Sequence, residues 1–259
     1  MQTKAVFFDI DGTLLSFSTH SVPESTVDAL AALRASGVKT FVATGRMLAM
    51  IDVLDGIPFD GYITYNGAYC IDGNRDLIRA NPIPQSDLDA LAALLERETM
   101  PVAFMSDSAM TINLVDDKVI EAATLVGMLP PPLQNPLDAI RSDIYQLCIY
   151  ADDQRMQTLM RDTLTHCQFT RWTHLFADVN LSGNDKQKGI DAILDCFNID
   201  RATTMAFGDG GNDIPMLRHV ALGVAMGNAH SDVKQAADYV TTSVDDDGIA
   251  QALRHFGLI

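Results

Sequence analysis

The octapeptide Phe7-Phe8-Asp9-Ile10-Asp11-Gly12-Thr13-Leu14 constrains this chain more than any other stretch: the apolar run Ala5 to Phe8 ends in two carboxylates one residue apart. On an extended strand residues i and i+2 point the same way, so at the end of a buried strand Asp9 and Asp11 face one small site. Two carboxylates placed so require a cation. Gly12 permits a sharp reversal, and Thr13 brings a hydroxyl and an N–H to the same place. Phosphate with magnesium fits this set, with Asp9 as the nucleophile that accepts a phosphoryl group. Asp11 then protonates the leaving oxygen and afterwards activates water. The alternative is an Asp pair that merely caps a strand-to-turn junction.

A chain of 259 residues, 47% hydrophobic, can bury one large core or two modest ones. Its 18 Lys and Arg against 34 Asp and Glu give a formal charge of −16, which argues against nucleic acid and against anionic lipid as partners. The first apolar run is far shorter than a signal-peptide core, and no window approaches a membrane span, so a cytoplasmic location is expected. Cys70, Cys148, Cys167 and Cys196 lie far apart without C-x-x-C spacing, and read as buried free thiols rather than a zinc site or a disulfide framework. The sequence does not encode the oligomeric state.

Short apolar runs alternate with helical patterns through the first third: a strand to Phe8, a helix from about Pro23 to Ser36, a strand Lys39–Ala43, a helical stretch Met47–Leu54 and a strand Tyr62–Thr64. Ser21 and Glu24 are spaced as a capping box for the first helix, and Val27, Leu30, Ala31 and Arg34 share one of its faces. The order predicts an α/β fold, a doubly wound parallel sheet of Rossmann type, with polar residues after each strand at its carboxyl edge. From Pro82-Ile83-Pro84 the pattern changes to an α+β insert with an antiparallel sheet, read as α-β-β-α-β-α-β-β. After Ser182-Gly183-Asn184 the first pattern resumes. Residues 1–82 and 183–259 are therefore expected to form one domain, and residues 83–182 another.

Three further strand ends carry chemistry. Thr44-Gly45-Arg46 offers a hydroxyl, an amide N–H and the start of a helix to an anion, or is a simple helix cap. Lys188 falls at the expected start of a helix, where a cation opposes the dipole and so suggests a use, namely neutralising phosphate. Lys186, two residues earlier, is an equally cationic alternative. Gly208-Asp209-Gly210-Gly211-Asn212-Asp213 spends three glycines and two carboxylates directly after a strand. Asp9, the carbonyl of Asp11 and Asp209 make a protein share for six-coordinate magnesium. Asp213 would bind a metal water or fix Lys188, and Asn212 would orient either.

Asp9-Ile10-Asp11-Gly12-Thr13, Thr44-Gly45-Arg46, Lys188 and the Gly208–Asp213 hexapeptide resemble, in order and spacing, the four motifs of the haloacid dehalogenase superfamily. The insert resembles the type IIB cap of Cof-type phosphatases, bacterial hexose-phosphate phosphatases in particular. The resemblance implies Asp9 as nucleophile, Asp11 as general acid and base, Thr44 and Lys188 on phosphate, and Mg2+ held by Asp9, Asp11, Asp209 and Asp213. It favours Lys188 over Lys186 because Gly189 follows. Asn66 and Gly67 match core-side substrate contacts, with Gly45, Arg46 and Asn212 beside them. The implied activity is hydrolysis of small phosphate monoesters, sugar phosphates above all, through an aspartyl phosphate, with the insert as a lid. A phosphomutase and a catalytically silent phosphosugar sensor are the alternatives. The 12 methionines read as core filler, Asp245-Asp246-Asp247 as a solvated cap for the last helix, and Trp172 as core packing or a lining of the sugar pocket.

Overall fold

The computed structural model describes residues 3–54, 56–125, 127–171 and 173–259, so the expectation for Trp172 lies outside the described residues. The chain divides into two compact units, one of Met1–Arg46, Met50–Ala80 and Asp185–Ile259, the other of Met47–Ala49 and Asn81–Asn184. The first begins with β1 (Ala5–Phe8), α1 (Glu24–Ala35), β2 (Lys39–Ala43), β3 (Gly61–Thr64), β4 (Tyr69–Asp72) and β5 (Leu77–Ala80). The second runs α2 (Gln85–Leu95), β6 (Val102–Met105), β7 (Met110–Ile112), α3 (Asp117–Leu125), α4 (Pro136–Ala139), β8 (Gln146–Ile149), α5 (Asp153–Asp162), β9 (Cys167–Thr170) and β10 (Ala177–Leu181). The first unit resumes with α6 (Lys186–Phe197), β11 (Thr204–Gly208), α7 (Ile214–His219), β12 (Leu222–Ala225), α8 (Ser231–Ala236), β13 (Tyr239–Val240) and α9 (Gly248–His255).

Its sheet has the order β13-β12-β11-β1-β2-β3-β4-β5, parallel from β13 to β3 and antiparallel through the last two pairings. Strands β2 and β3 add to one side of β1, and β11, β12 and β13 to the other. The order therefore reverses between β1 and β11, and an open α/β sheet opens a crevice at such a point, beyond the carboxyl ends of its strands. Every residue of β1 is buried, as a strand covered on both faces requires. Phe7 stacks on Phe41 at 5.0 Å and shares a core with Ile190 and Ile193 of α6. Phe8, which points the other way, stacks on Phe207 at 5.2 Å.

The second unit is built on one antiparallel sheet, β7-β6-β8-β10-β9. Phe104, Leu147, Ile149 and Val179 pack there against Leu88 and Leu91 of α2 and Met156 and Leu159 of α5. Where the chain enters and leaves this unit, the Asn81 carboxamide donates to Asn184 Oδ1 at 2.7 Å and that of Asn184 to the Asn81 carbonyl at 3.1 Å.

Several local expectations are corrected. No side chain caps α1: Pro23 takes the N-cap in place of the Ser21 box, its fixed φ already suited to the helix start. The buried face of α1 is Thr26, Ala29, Leu30 and Leu33, while Val27 and Ala31 are exposed. The stretch Met47–Leu54 forms two short 3-10 turns, Leu48–Met50 and Asp52–Leu54, rather than an α-helix. The β4–β5 hairpin and α4 were not anticipated. The hairpin signal was present in Asp72-Gly73-Asn74, for Asp72 Oδ1 accepts the N–H groups of Asn74 and Asp76 at 2.9 and 2.8 Å. The final helix has no side-chain cap from the aspartate run. All four cysteines are free, but Cys196 is exposed. Among the described residues no helix is long and apolar enough to cross a membrane.

Gly67 is the tightest joint of the first unit. Its φ is +96°, and a Cβ there would stand 2.1 Å from the Asp185 carbonyl oxygen and 3.1 Å from the Gly189 nitrogen. This close approach lets the first turn of α6 rest on the end of β3. Gly67→Ala should cost about 3 kcal/mol, the left-handed strain added to a backbone clash that cannot relax cheaply. In a chain of this size that is a fall in Tm of roughly 10 °C, measurable by calorimetry; an unchanged Tm would contradict the packing described.

Candidate active site

Asp9 and Asp209 are the first residues beyond β1 and β11, strands paired in parallel with Phe8 opposite Phe207. The Asp9 N–H continues the ladder by donating to the Phe207 carbonyl at 3.0 Å. Its carboxylate receives Lys186 Nζ at 2.5 Å, and the same ammonium donates to Asp213 Oδ1 at 2.5 Å. Lys186 and Asp213 are wholly buried and Asp9 nearly so.

The lysine at this junction is therefore Lys186, not Lys188. Asp185 is the N-cap of α6 and its side chain accepts the N–H of Lys188 at 2.8 Å, so the helix starts at Lys186, two residues earlier than expected. Residues two apart on a helix point about 200° away from one another, so only one of the two lysines can face the sheet edge. Lys186 faces it, and Lys188 is exposed.

Asp213 serves two structures at once. While Oδ1 holds Lys186, Oδ2 accepts the N–H groups of Asp209 and Gly210 at 2.9 and 2.8 Å, which folds the glycine-rich loop around the carboxylate. Gly208 makes room for it, since a Cβ there would lie 2.5 Å from that of Asp213.

Carboxylate oxygens of Asp9, Asp209 and Asp213 all lie within 4.8 Å of one another. Three carboxylates against one ammonium leave two negative charges in a poorly solvated place, and every donor is a hard oxygen. That set fits a hard divalent cation. The electrostatics agree: burial, then repulsion from Asp213, holds the Asp9 carboxyl well above the usual carboxylate range. The same two causes push Asp209 up to about 6. Burial opposes the charge on Lys186, but Asp213 and Asp9 outweigh it and raise its pKa.

Asp11, more open, is gripped by Arg46, whose Nε and Nη2 donate to its two carboxylate oxygens at 2.9 and 2.6 Å. Arg46 Nη1 donates to the Met50 carbonyl at 2.9 Å, and the bond to Asp11 raises the guanidinium's pKa. Arg46, expected to face substrate, is here a partner of Asp11. Thr44 is buried and its hydroxyl accepts the Arg46 N–H at 3.1 Å. The Thr44 N–H, expected to meet phosphate, donates instead to the Ile63 carbonyl at 2.8 Å as part of the sheet.

Asn66, left-handed at φ +52°, accepts from the Asn212 carboxamide at 2.9 Å, and its side chain lies against Gly45. Gly67, buried beneath α6, answers to packing. Two further residues support Asp209: Thr13, whose hydroxyl was expected beside the carboxylates, and Asn228, which was not anticipated. Thr13 Oγ1 donates to Asp209 Oδ1 at 3.1 Å. The Asn228 carboxamide donates to Asp209 Oδ2 at 3.2 Å and to the Gly12 carbonyl at 2.8 Å, and accepts the Val244 N–H at 3.1 Å. The signal for Asn228 was its place just after β12, at the same sheet edge as the other motifs.

The sequence profile of the haloacid dehalogenase-like hydrolases matches residues 6–253. The chain is 34% identical to "Putative phosphatase YkrA" of Bacillus subtilis strain 168, over 100% of both chains. Among solved structures, the HAD subclass IIB sugar phosphatase BT4131 is 43% identical, with a TM-score of 0.87 over 99% of this chain and 100% of that one. The phosphatase BT1666 of Bacteroides thetaiotaomicron is 39% identical, with a TM-score of 0.91 over 100% and 96%. With the parallel sheet, the reversal of strand order at β1 and the acidic site at that edge, these matches show that the chain belongs to the haloacid dehalogenase-like hydrolases, among their phosphatases.

Proposed function

We propose that this chain is a magnesium-dependent phosphatase of small sugar phosphates that works through an aspartyl-phosphate intermediate, with the inserted α+β unit, residues 83–182, as its cap. The observation that carries the reading is the buried Lys186 ammonium shared by Asp9 and Asp213 beside Asp209. It holds one oxygen of Asp9 and leaves the other as nucleophile. That oxygen attacks phosphorus as the bond to the leaving oxygen breaks, and Asp11, released from Arg46 and protonated in the substrate complex, gives the leaving oxygen its proton. Water then attacks the acyl phosphate, Asp11 takes the proton, and Asp9 is released with inorganic phosphate. Asp9, Asp209 and Asp213 would hold Mg2+, which supplies positive charge to the phosphoryl oxygens. Sugar phosphates are favoured by the likeness to BT4131, itself a sugar phosphatase.

The test is phosphate release across hexose, pentose, nucleotide and cofactor phosphates, with product analysis to separate hydrolysis from transfer to a second sugar. Release from none of them would remove the reading. Lys186→Ala should lower kcat/KM by roughly a thousandfold, a preorganised charge being lost from a dry site, whereas Lys188→Ala should stay within about twofold of the parent because exposed charges contribute little. Circular dichroism should establish that both variants fold, and equal effects would remove Lys186 from the site.

Asp11→Asn should slow an alkyl phosphate roughly a hundredfold and a nitrophenyl phosphate far less, since an aryl oxide needs little protonation to depart. An equal loss on both would show that Asp11 is not the leaving-group acid.

Metal affinity should fall as the pH is lowered. The Asp209 carboxyl, at about 6, is protonated below that value, and the proton must leave before a cation binds. Calorimetric titration with Mg2+ should give binding about tenfold weaker at pH 5 than at pH 8 with proton release on binding, and a pH-independent affinity would show that no ligand carboxyl, Asp209 included, titrates near 6.

A further inference from the structure

The loop that joins the Asp9–Thr13 turn to α1 is fastened from several directions. Ser16 is buried, and its Oγ donates to Asp245 Oδ1 at 2.5 Å while accepting the N–H groups of Ser18 and Thr19 at 3.0 and 3.2 Å. Ser18 Oγ donates to the second oxygen of Asp245 at 3.2 Å. The Ser16 N–H donates to the Ser21 carbonyl at 3.1 Å and the His20 N–H to the Ser16 carbonyl at 3.0 Å, with His20 left-handed at φ +53°. Asp245, read from sequence as part of a helix cap, is thus an anchor for this loop.

Between the two anchored serines, Phe17 is 61% exposed. An aromatic side chain on a loop tied down this firmly has not simply failed to find the core. Its Cε2 lies 2.7 Å from the point a Cβ on Gly12 would occupy, and the same point is 2.2 Å from Asp209 Oδ2. The ring edge and the candidate metal ligand meet across Gly12, the residue that follows the proposed leaving-group acid. An apolar ring edge therefore stands on the Gly12 side of a site otherwise made of charged and polar groups, one residue from Asp11, the proposed leaving-group acid.

We infer that Phe17 is a substrate-binding residue, receiving the apolar face of a ring-shaped leaving group such as a pyranose. This rests on the phosphatase reading and adds a specificity element on the catalytic unit itself. The C–H groups on one face of a pyranose pack on an aromatic ring, whereas an open-chain polyol of the same carbon skeleton offers no flat face and keeps its hydroxyls in water. The Phe17 ring carries no charge, so it discriminates by the shape of the leaving group and not by its phosphate.

The test compares the parent, Phe17→Ala and Phe17→Trp on aldose 6-phosphates and on the open-chain alditol phosphates made from them by borohydride reduction. The parent should prefer the rings. Phe17→Ala should lose about tenfold in kcat/KM on the rings, mostly through KM, as loss of one apolar contact surface does, and less than about twofold on the alditols. Phe17→Trp should keep the preference, and the Tm of all three should agree because the side chain is exposed. No ring preference in an active parent, or an equal loss on both series, would overturn this inference while leaving the phosphatase reading standing. A parent that releases phosphate from no monoester would overturn both.

Discussion

The ammonium of Lys186, sealed from solvent between Asp9 and Asp213, is the interaction on which the first unit depends. A buried charge is tolerable only when paired and hydrogen-bonded, and removing one partner leaves the others uncompensated at a cost of about 3–5 kcal/mol. The junction joins three distant segments: the end of β1, the first residue of α6 and the loop beyond β11. Gly67 lets α6 come close enough, Asp185 fixes where that helix begins, and Asp213 folds the glycine-rich loop with the oxygen it does not lend to lysine. What remains is an excess of negative charge that a divalent cation and an incoming phosphate can share. The acidic surface of the whole chain therefore says little about its substrate, because local charge decides.

Much of this was legible in the chain. β2 and β3 fall where the apolar runs place them, since short buried strands of a parallel sheet read as continuous hydrophobic stretches. Asp9, Asp11, Asp209 and Asp213 are legible because each lies within a few residues of a strand end, and proximity along the chain there becomes proximity in space. Lys186 was harder, because the choice between it and Lys188 turns on helix register, and register was decided by a single capping carboxylate on Asp185. Arg46 was recognised as functional but its partner was not: the grip on Asp11 spans 35 positions and has no local signature. Asn228 belongs to no motif of its own: it stands 19 positions beyond Asp209 and 216 beyond Gly12, the two residues it ties together.

The aspartates near the C-terminus show the same limit from the opposite direction. Asp245 and Asp247 stand just before α9, and local logic makes them a cap, yet the hydroxyls of Ser16, Ser18 and Ser25 claim them. A serine-rich loop and an acidic run at opposite ends of a chain carry no mutual signal until the sheet brings them together.

The centre of the sheet sets a timetable as well as a topology. Ala5 of β1 pairs with Thr204 of β11, so this fully buried strand is made about 200 residues before one of its two neighbours. At ordinary rates of synthesis the delay is about 10–40 s. During that time β1 is an apolar edge strand of the kind that recruits wrong partners, and the Asp9 carboxylate at its tip lacks its lysine. The inserted unit, with a sheet and core of its own, is complete on the nascent chain before β11 has been made. The site is therefore assembled only after the inserted unit has been synthesised, and Asn228, which steadies Asp209, is made later still.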